Sequence, residues 1–135
     1  MNNTFIFNKP APIHNRRYNY QNLIVWKLAY NLVLDFYEII NALPDYESKN
    51  IADQMRRAVT SMPLNIAEGG SSRYKRVFYN HLNYAYSSAK ELEVLLMLCH
   101  DLKYIDGEHF NKLFDKLEKF KCCTYNLMAK IEQEI

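Results

Sequence analysis

Apolar side chains recur at alternating intervals of three and four through four successive stretches of this chain, and nowhere alternate in twos over a useful length. At 3.6 residues per turn that spacing stacks them along one side of an α-helix, whereas in a strand it would scatter them over both faces. The first stretch carries Leu23, Trp26, Tyr30, Val33, Tyr37 and Ile40, and Pro44 with Asp45 stops it. A second, over about 46–68, sets Ile51, Met55, Ala58, Met62 and Ile66 on one stripe before Gly69-Gly70. Pro63 lies inside it and removes a backbone donor, which predicts a kink; the pattern resumes at Ile66 in phase with Met62, so the helix continues. The third, over about 72–104, is the clearest: Phe78, Leu82, Ala85, Ala89, Leu92, Leu96 and Cys99. The fourth opens at Asp106 or Gly107 and runs through Phe110, Leu113, Leu117, Phe120, Thr124, Leu127 and Ile131.

Four helices of this length, each roughly 35 to 50 Å at 1.5 Å per residue and joined by short connections, must pack as antiparallel neighbours. The expected fold is all-α: an antiparallel up-down-up-down four-helix bundle over residues 20–135, preceded by an extended N-terminal arm over 1–19. Helices 1 and 3 carry a second apolar flank, Ile24, Leu28 and Leu32 on the first and Val94, Leu95 and Leu98 on the third. A monomeric bundle needs only one stripe, so part of this surplus is expected to face another subunit.

No apolar run approaches the roughly 18 residues that cross a bilayer, and the N-terminus lacks the basic start and apolar stretch of a secretory signal. No membrane association is expected. Three cysteines, two of them adjacent at Cys122 and Cys123, make no disulfide framework, which points to a cytoplasmic protein with reduced thiols. The formal net charge is only +2, but it is unevenly placed. Residues 1–76 hold ten Lys and Arg against six acids, a balance of +4, and residues 77–135 hold seven Lys against nine acids, a balance of −2. Every arginine lies in the first part, and a phosphate-facing surface is to be sought there.

Catalytic constellations are missing. A carboxylate di-metal bundle needs two Glu-x-x-His pairs, and no Glu here has a His three residues on. Asp106-x-x-His109 reads as a helix N-cap, and His81 and His100 are too far apart on one helix to share a metal. Cys122 and Cys123 diverge by about 100° on a helix and read as one buried and one edge thiol. There is no phosphate-cradling glycine motif. The expectation is a chain with no catalytic residue, no metal and no cofactor, which is not an enzyme.

The segment QMRRAVTSMPLNIAEG at residues 54–69 resembles the signature, QxRRAxxSxxxNIAEG, of the four-helix-bundle proteins encoded in intervening sequences of bacterial 23S ribosomal RNA genes. Leu23-x-x-Trp26, Leu43-Pro44 with Glu47, and Ser88-x-x-Glu91-Leu92-Glu93 extend the resemblance, which covers about residues 20–133. It implies an antiparallel four-helix bundle assembled as a ring-like homopentamer. A related branch supplies the accessory proteins of diversity-generating retroelements, in which a pentameric barrel binds nucleic acid and contacts the reverse transcriptase.

The motif residues admit structural and functional readings side by side. Arg57 either pairs with Glu91 or Glu93 across helices 2 and 3 or, with Arg56, contacts RNA. Gln54 belongs to the same motif. Asn65 is expected to bond a backbone group freed by the kink, Glu68-Gly69 to end the helix with a glycine at positive φ, and Trp26 to anchor the core or a subunit interface. Arg73, Tyr74, Lys75 and Arg76 fall at the turn before helix 3, where arginines with an aromatic suit phosphate contact and base stacking, as a solvated helix cap would also allow. Arg16 and Arg17 in the arm are further candidates. The expected function is a non-catalytic oligomeric adaptor for structured RNA or an RNA–protein complex, using basic residues of the N-terminal half. The alternative is a protein–protein scaffold, such as an accessory subunit of a reverse transcriptase.

Overall fold

The computed structural model describes residues 20–135. Among these, four long helices form: α1 (Ile24–Ala42), α2 (Ile51–Gly70), α3 (Lys75–Asp101) and α4 (Gly107–Glu132), with short 3-10 turns at Tyr20–Asn22 and Asp45–Glu47 and no strand. The expected arm, including Arg16 and Arg17, lies outside the described residues. Each helix packs on the next, and α4 closes back onto α1. Gly70 at the end of α2 lies against Tyr20 and Leu23 at the entrance to α1. Lys75 at the start of α3 pairs with Glu134 beyond the end of α4. Both contacts join opposite chain directions, so the bundle is antiparallel.

Connections occupy residues 43–50, 71–74 and 102–106. Helix 2 therefore starts at Ile51 rather than near residue 46, because the first connection has its own structure: Glu47 donates its amide to the Pro44 carbonyl at 2.9 Å, and its buried carboxylate accepts the Tyr104 hydroxyl at 2.7 Å. Helix 3 ends on a left-handed Lys103 (φ 66°), with Tyr104 N–H donating to the Cys99 carbonyl at 2.8 Å, the closure that usually employs glycine. Asp106 caps α4, accepting from the His109 amide at 2.8 Å.

The stripes of α2, α3 and α4 face the core as their periodicity requires, but that of α1 is rotated. Trp26 and Ile40 are buried as expected, together with Val25, Ala29, Leu32, Phe36 and Ile39, while Tyr30, Val33 and Tyr37 are only half-buried at its edge. A tyrosine hydroxyl is costly to bury without a partner, so the purely apolar neighbours take the centre. Leu32 and Leu95, expected on surplus flanks, are core residues; Ile24, Val94 and Leu98 remain exposed, joined by Met97 and Leu102. Trp26 is buried, with Tyr20 edge-on at 5.4 Å and Tyr30 at 5.0 Å. Neither thiol of the adjacent pair is buried: Cys122 is exposed and Cys123 intermediate. The buried thiol is Cys99, which burial and then the Glu47 charge push up to about 11.

Gly69 does not end the helix at positive φ. No described glycine has positive φ, and α2 runs on to Gly70. What Gly69 provides is proximity: a Cβ there would meet Cβ of His81 on α3 at 2.7 Å, closer than side chains tolerate. Gly69→Ala is therefore expected to lower stability by about 1–2 kcal/mol, overpacking outweighing the gain in helix propensity. Gly107→Ala meets only His100 Nε2 at 3.9 Å and should stabilise by about 0.5 kcal/mol. Urea unfolding of the two variants checks both signs.

Candidate nucleic-acid interface

The antiparallel register of α2 and α3 sorts the basic candidates into two groups. Ser61 Oγ meets Ser88 Oγ at 2.5 Å, and Asn65 Oδ1 meets His81 Nδ1 at 2.9 Å. Extending the register toward the start of α2 sets Arg57 opposite Glu91, and both line a polar groove with Gln54, Ser61 and Ser88. The expected pair does not form, however. Arg57 donates to Asp53, one turn back on its own helix, at 2.6 Å, while Arg56 donates to the Ser48 carbonyl at 2.9 Å and lies 3.7 Å from Asp53. An i,i+4 carboxylate needs no partner helix to be in place, and so it wins the guanidinium. The Arg57 hydrogen bond, ahead of its charge and that of Arg56, holds the Asp53 carboxyl below the usual carboxylate range. Glu93, the other candidate partner, instead pairs with Lys121 of α4.

Asn65 Nδ2 donates to the Ser61 carbonyl at 2.8 Å while its Oδ1 meets His81, so it ties its own helix to α3. Glu68 lies on the exposed side, 3.9 Å from His81 Nε2. Asn65 and His81 hold the α2–α3 seam together and, half-buried, present little of themselves to a ligand.

The second group sits at the other end of α2. There Ser71 closes the helix, donating N–H and Oγ to the Ala67 carbonyl at 3.2 and 2.8 Å, and the Tyr74 amide donates to Ser72 Oγ at 3.0 Å before α3 begins. This turn pushes Arg73, Tyr74 and Arg76 outward. The Arg73 guanidinium lies 5.7 Å from the centre of the exposed Tyr74 ring. Lys75 is held by Glu134, whose carboxyl it keeps below the usual range. Neither Arg73 nor Arg76 has a carboxylate partner among the described residues. The first turn of α3 contains no acid, so its basic residues sit at the positive end of the helix dipole, a placement that gains nothing for the helix.

Beside this turn is a groove of about 330 Å³, with Leu23, Phe78, Leu127 and Ile131 in its lining and Arg73, Tyr74, Lys75 and Lys130 around them. Tyr20 and Lys130 contribute to it from remote parts of the chain, and no local motif marks either; only the closure of α4 on α1 reveals them. Arg16 and Arg17 precede Tyr20 by four and three positions in sequence. Such a surface suits anionic, partly aromatic ligands. Among the described residues no three His, Cys, Asp or Glu side chains gather as metal ligands, and no helix is long and apolar enough to cross a membrane.

Residues 21–125 match the family model described as 23S rRNA-intervening sequence protein. A comparison with curated proteins gives no match. Among solved structures, the chain is similar to a protein of unknown function from the S23 ribosomal protein family of Bacteroides thetaiotaomicron VPI-5482. The two share 22% identity with a TM-score of 0.72, covering 78% of this chain and 96% of that one, a likeness of fold.

The depressed Asp53 carboxyl fixes a sign for acid unfolding. Its contribution is present above its ordinary value of 3.8 and is lost as pH falls through the lower folded value. Asp53→Asn should flatten the fall of stability below about pH 4, as read from urea midpoints on either side of it.

Proposed function

The chain belongs to the 23S rRNA-intervening sequence protein family, and we propose that it acts as a cytoplasmic, non-catalytic, oligomeric adaptor that binds structured RNA or an RNA–protein complex. The contact surface in this reading is the end of the bundle that carries Arg73, Tyr74, Lys75 and Arg76. One observation carries it: two arginines without carboxylate partners among the described residues flank an exposed tyrosine, where the helix dipole already favours anions. Arg56 and Arg57, engaged by Asp53 and the Ser48 carbonyl, take a supporting place.

A second reading is favoured by the exposed Val94, Leu98 and Leu102, which follow one another at four-residue spacing along α3. That face suits a protein partner, either another copy of the chain or, in the scaffold alternative, an enzyme such as a reverse transcriptase. The two readings make separate demands on experiment. Replacing Arg73, Lys75 and Arg76 together with Ala is expected to weaken binding to structured RNA and to reduce the log–log salt slope by roughly 0.7–0.9 for each phosphate that these side chains neutralise. Unchanged affinity and slope would return this turn to the role of a solvated cap.

Self-association is tested by light scattering. The expected mass is a multiple of the 16.1 kDa chain, five-fold by the family resemblance, and substituting Leu98 with Glu should lower it. A single-chain mass at micromolar concentration would remove the oligomeric part of the proposal.

A further inference from the structure

The groove beside the basic turn is mixed in character, and the mixture says more than its charge. A site built only for phosphates would present N–H donors along its floor. Here the lining includes Leu23, Phe78, Leu127 and Ile131, which offer a phosphate oxygen nothing. The cations Arg73, Lys75 and Lys130 stand around them. One carboxylate, Glu134, is also present, but it is taken by Lys75. Tyr74, 63% exposed, has the Arg73 guanidinium over its ring, and Tyr20 contributes a second aromatic side chain. Apolar and aromatic walls with a net cationic border match a nucleotide whose flat base is free to enter while its phosphates stay outside.

Taking the RNA-binding reading as its premise, we propose that this groove receives an unpaired nucleotide from an RNA loop or bulge, its base among Tyr74, Leu127 and Phe78 and its phosphates against Arg73 and Lys130. A paired duplex cannot supply that ligand. Its bases are stacked and its major groove is deep and narrow, so it offers this surface phosphates, 2′-hydroxyls and base edges but no free base face. The groove's volume, about 330 Å³, falls within the range of small-ligand sites. The site therefore selects single-stranded features of a folded RNA, without requiring a base-specific hydrogen bond.

The test compares two RNAs on the full-length protein by fluorescence anisotropy: a hairpin with an adenine loop carrying one 2-aminopurine, and a blunt duplex of the same stem. The hairpin is expected to bind about tenfold more tightly than the duplex, with 2-aminopurine emission quenched on binding. Tyr74→Ala, at an exposed position, should erase the preference and the quenching. Leu127→Lys should also weaken hairpin binding although it adds a positive charge, whereas a purely electrostatic surface would bind both RNAs more tightly. A thermal melt checks the folding of Leu127→Lys, and Tyr74→Ala carries the test if that variant unfolds. Equal binding of hairpin and duplex, or tighter binding by Leu127→Lys, overturns the nucleotide groove and leaves the adaptor reading standing. No binding of either RNA overturns both.

Discussion

The close approach of α2 to α3 is the constraint from which the rest of the molecule follows. At Gly69 the two helices come so near that a single methyl group would reach 2.7 Å from His81 Cβ. Along the same seam Ser61 and Ser88 touch through their hydroxyls, and Ala58 lines the groove beside them. Small side chains let two backbones approach, but they contribute little apolar area of their own. The larger burial comes from neighbours such as Met62, Ile66 and Leu82, each fully buried, worth roughly 1.5–3 kcal/mol apiece. The Asn65–His81 hydrogen bond has a further effect: slipping the seam by one residue would break it and misplace the glycine.

This register divides the charged residues into those that build and those that remain free. Asp53 gathers Arg56 and Arg57 near the start of α2, and Lys121 joins Glu93 and Glu118 between α3 and α4. Burial works against the Lys121 charge, yet its bonds to Glu93 and Glu118 leave its pKa raised, so the cation is kept. At the opposite end the only comparable pair among the described residues is Lys75 with Glu134. Among the described residues Arg73 and Arg76 are the arginines without a carboxylate partner, whereas Arg56 and Arg57 are both engaged by Asp53. Proteins depart from local electrostatic convenience mainly where a site requires it.

The bundle was readable from spacing because helix periodicity is a local property repeated over many residues. Where two local rules compete, spacing alone does not decide between them. Tyr30 and Tyr37 fit the period as well as Ala29 and Phe36 do, and the cost of burying a hydroxyl at the centre of the core separates them. Gly69 offered two uses, positive φ or close approach, and the second depends on His81, twelve residues away. The Arg57–Asp53 pair follows the i,i+4 rule, whereas pairing with Glu91 would have required the register of two helices. Of the groove, only its local basic turn, Arg73, Tyr74 and Lys75, was readable. Tyr20, Lys130 and Glu134 carry no motif, and their meeting depends on four helices closing in one order.

Position along the bundle decides whether assembly and RNA binding compete. The basic turn lies at the start of α3, while Leu98 and Leu102 lie near its end, about 35 Å away at 1.5 Å per residue. Covering Leu98 and Leu102 with another copy of the chain would therefore leave the groove open. In a closed ring every equivalent point lies at one height along the rotation axis, so all the basic turns would lie on a single circle. An RNA touching one would then find the next at a fixed distance, and weak contacts would add as intramolecular events. In the proposed adaptor a lone groove with two tyrosines and a few cations would have only modest affinity; a circle of them would select an RNA that presents several unpaired segments at the matching spacing.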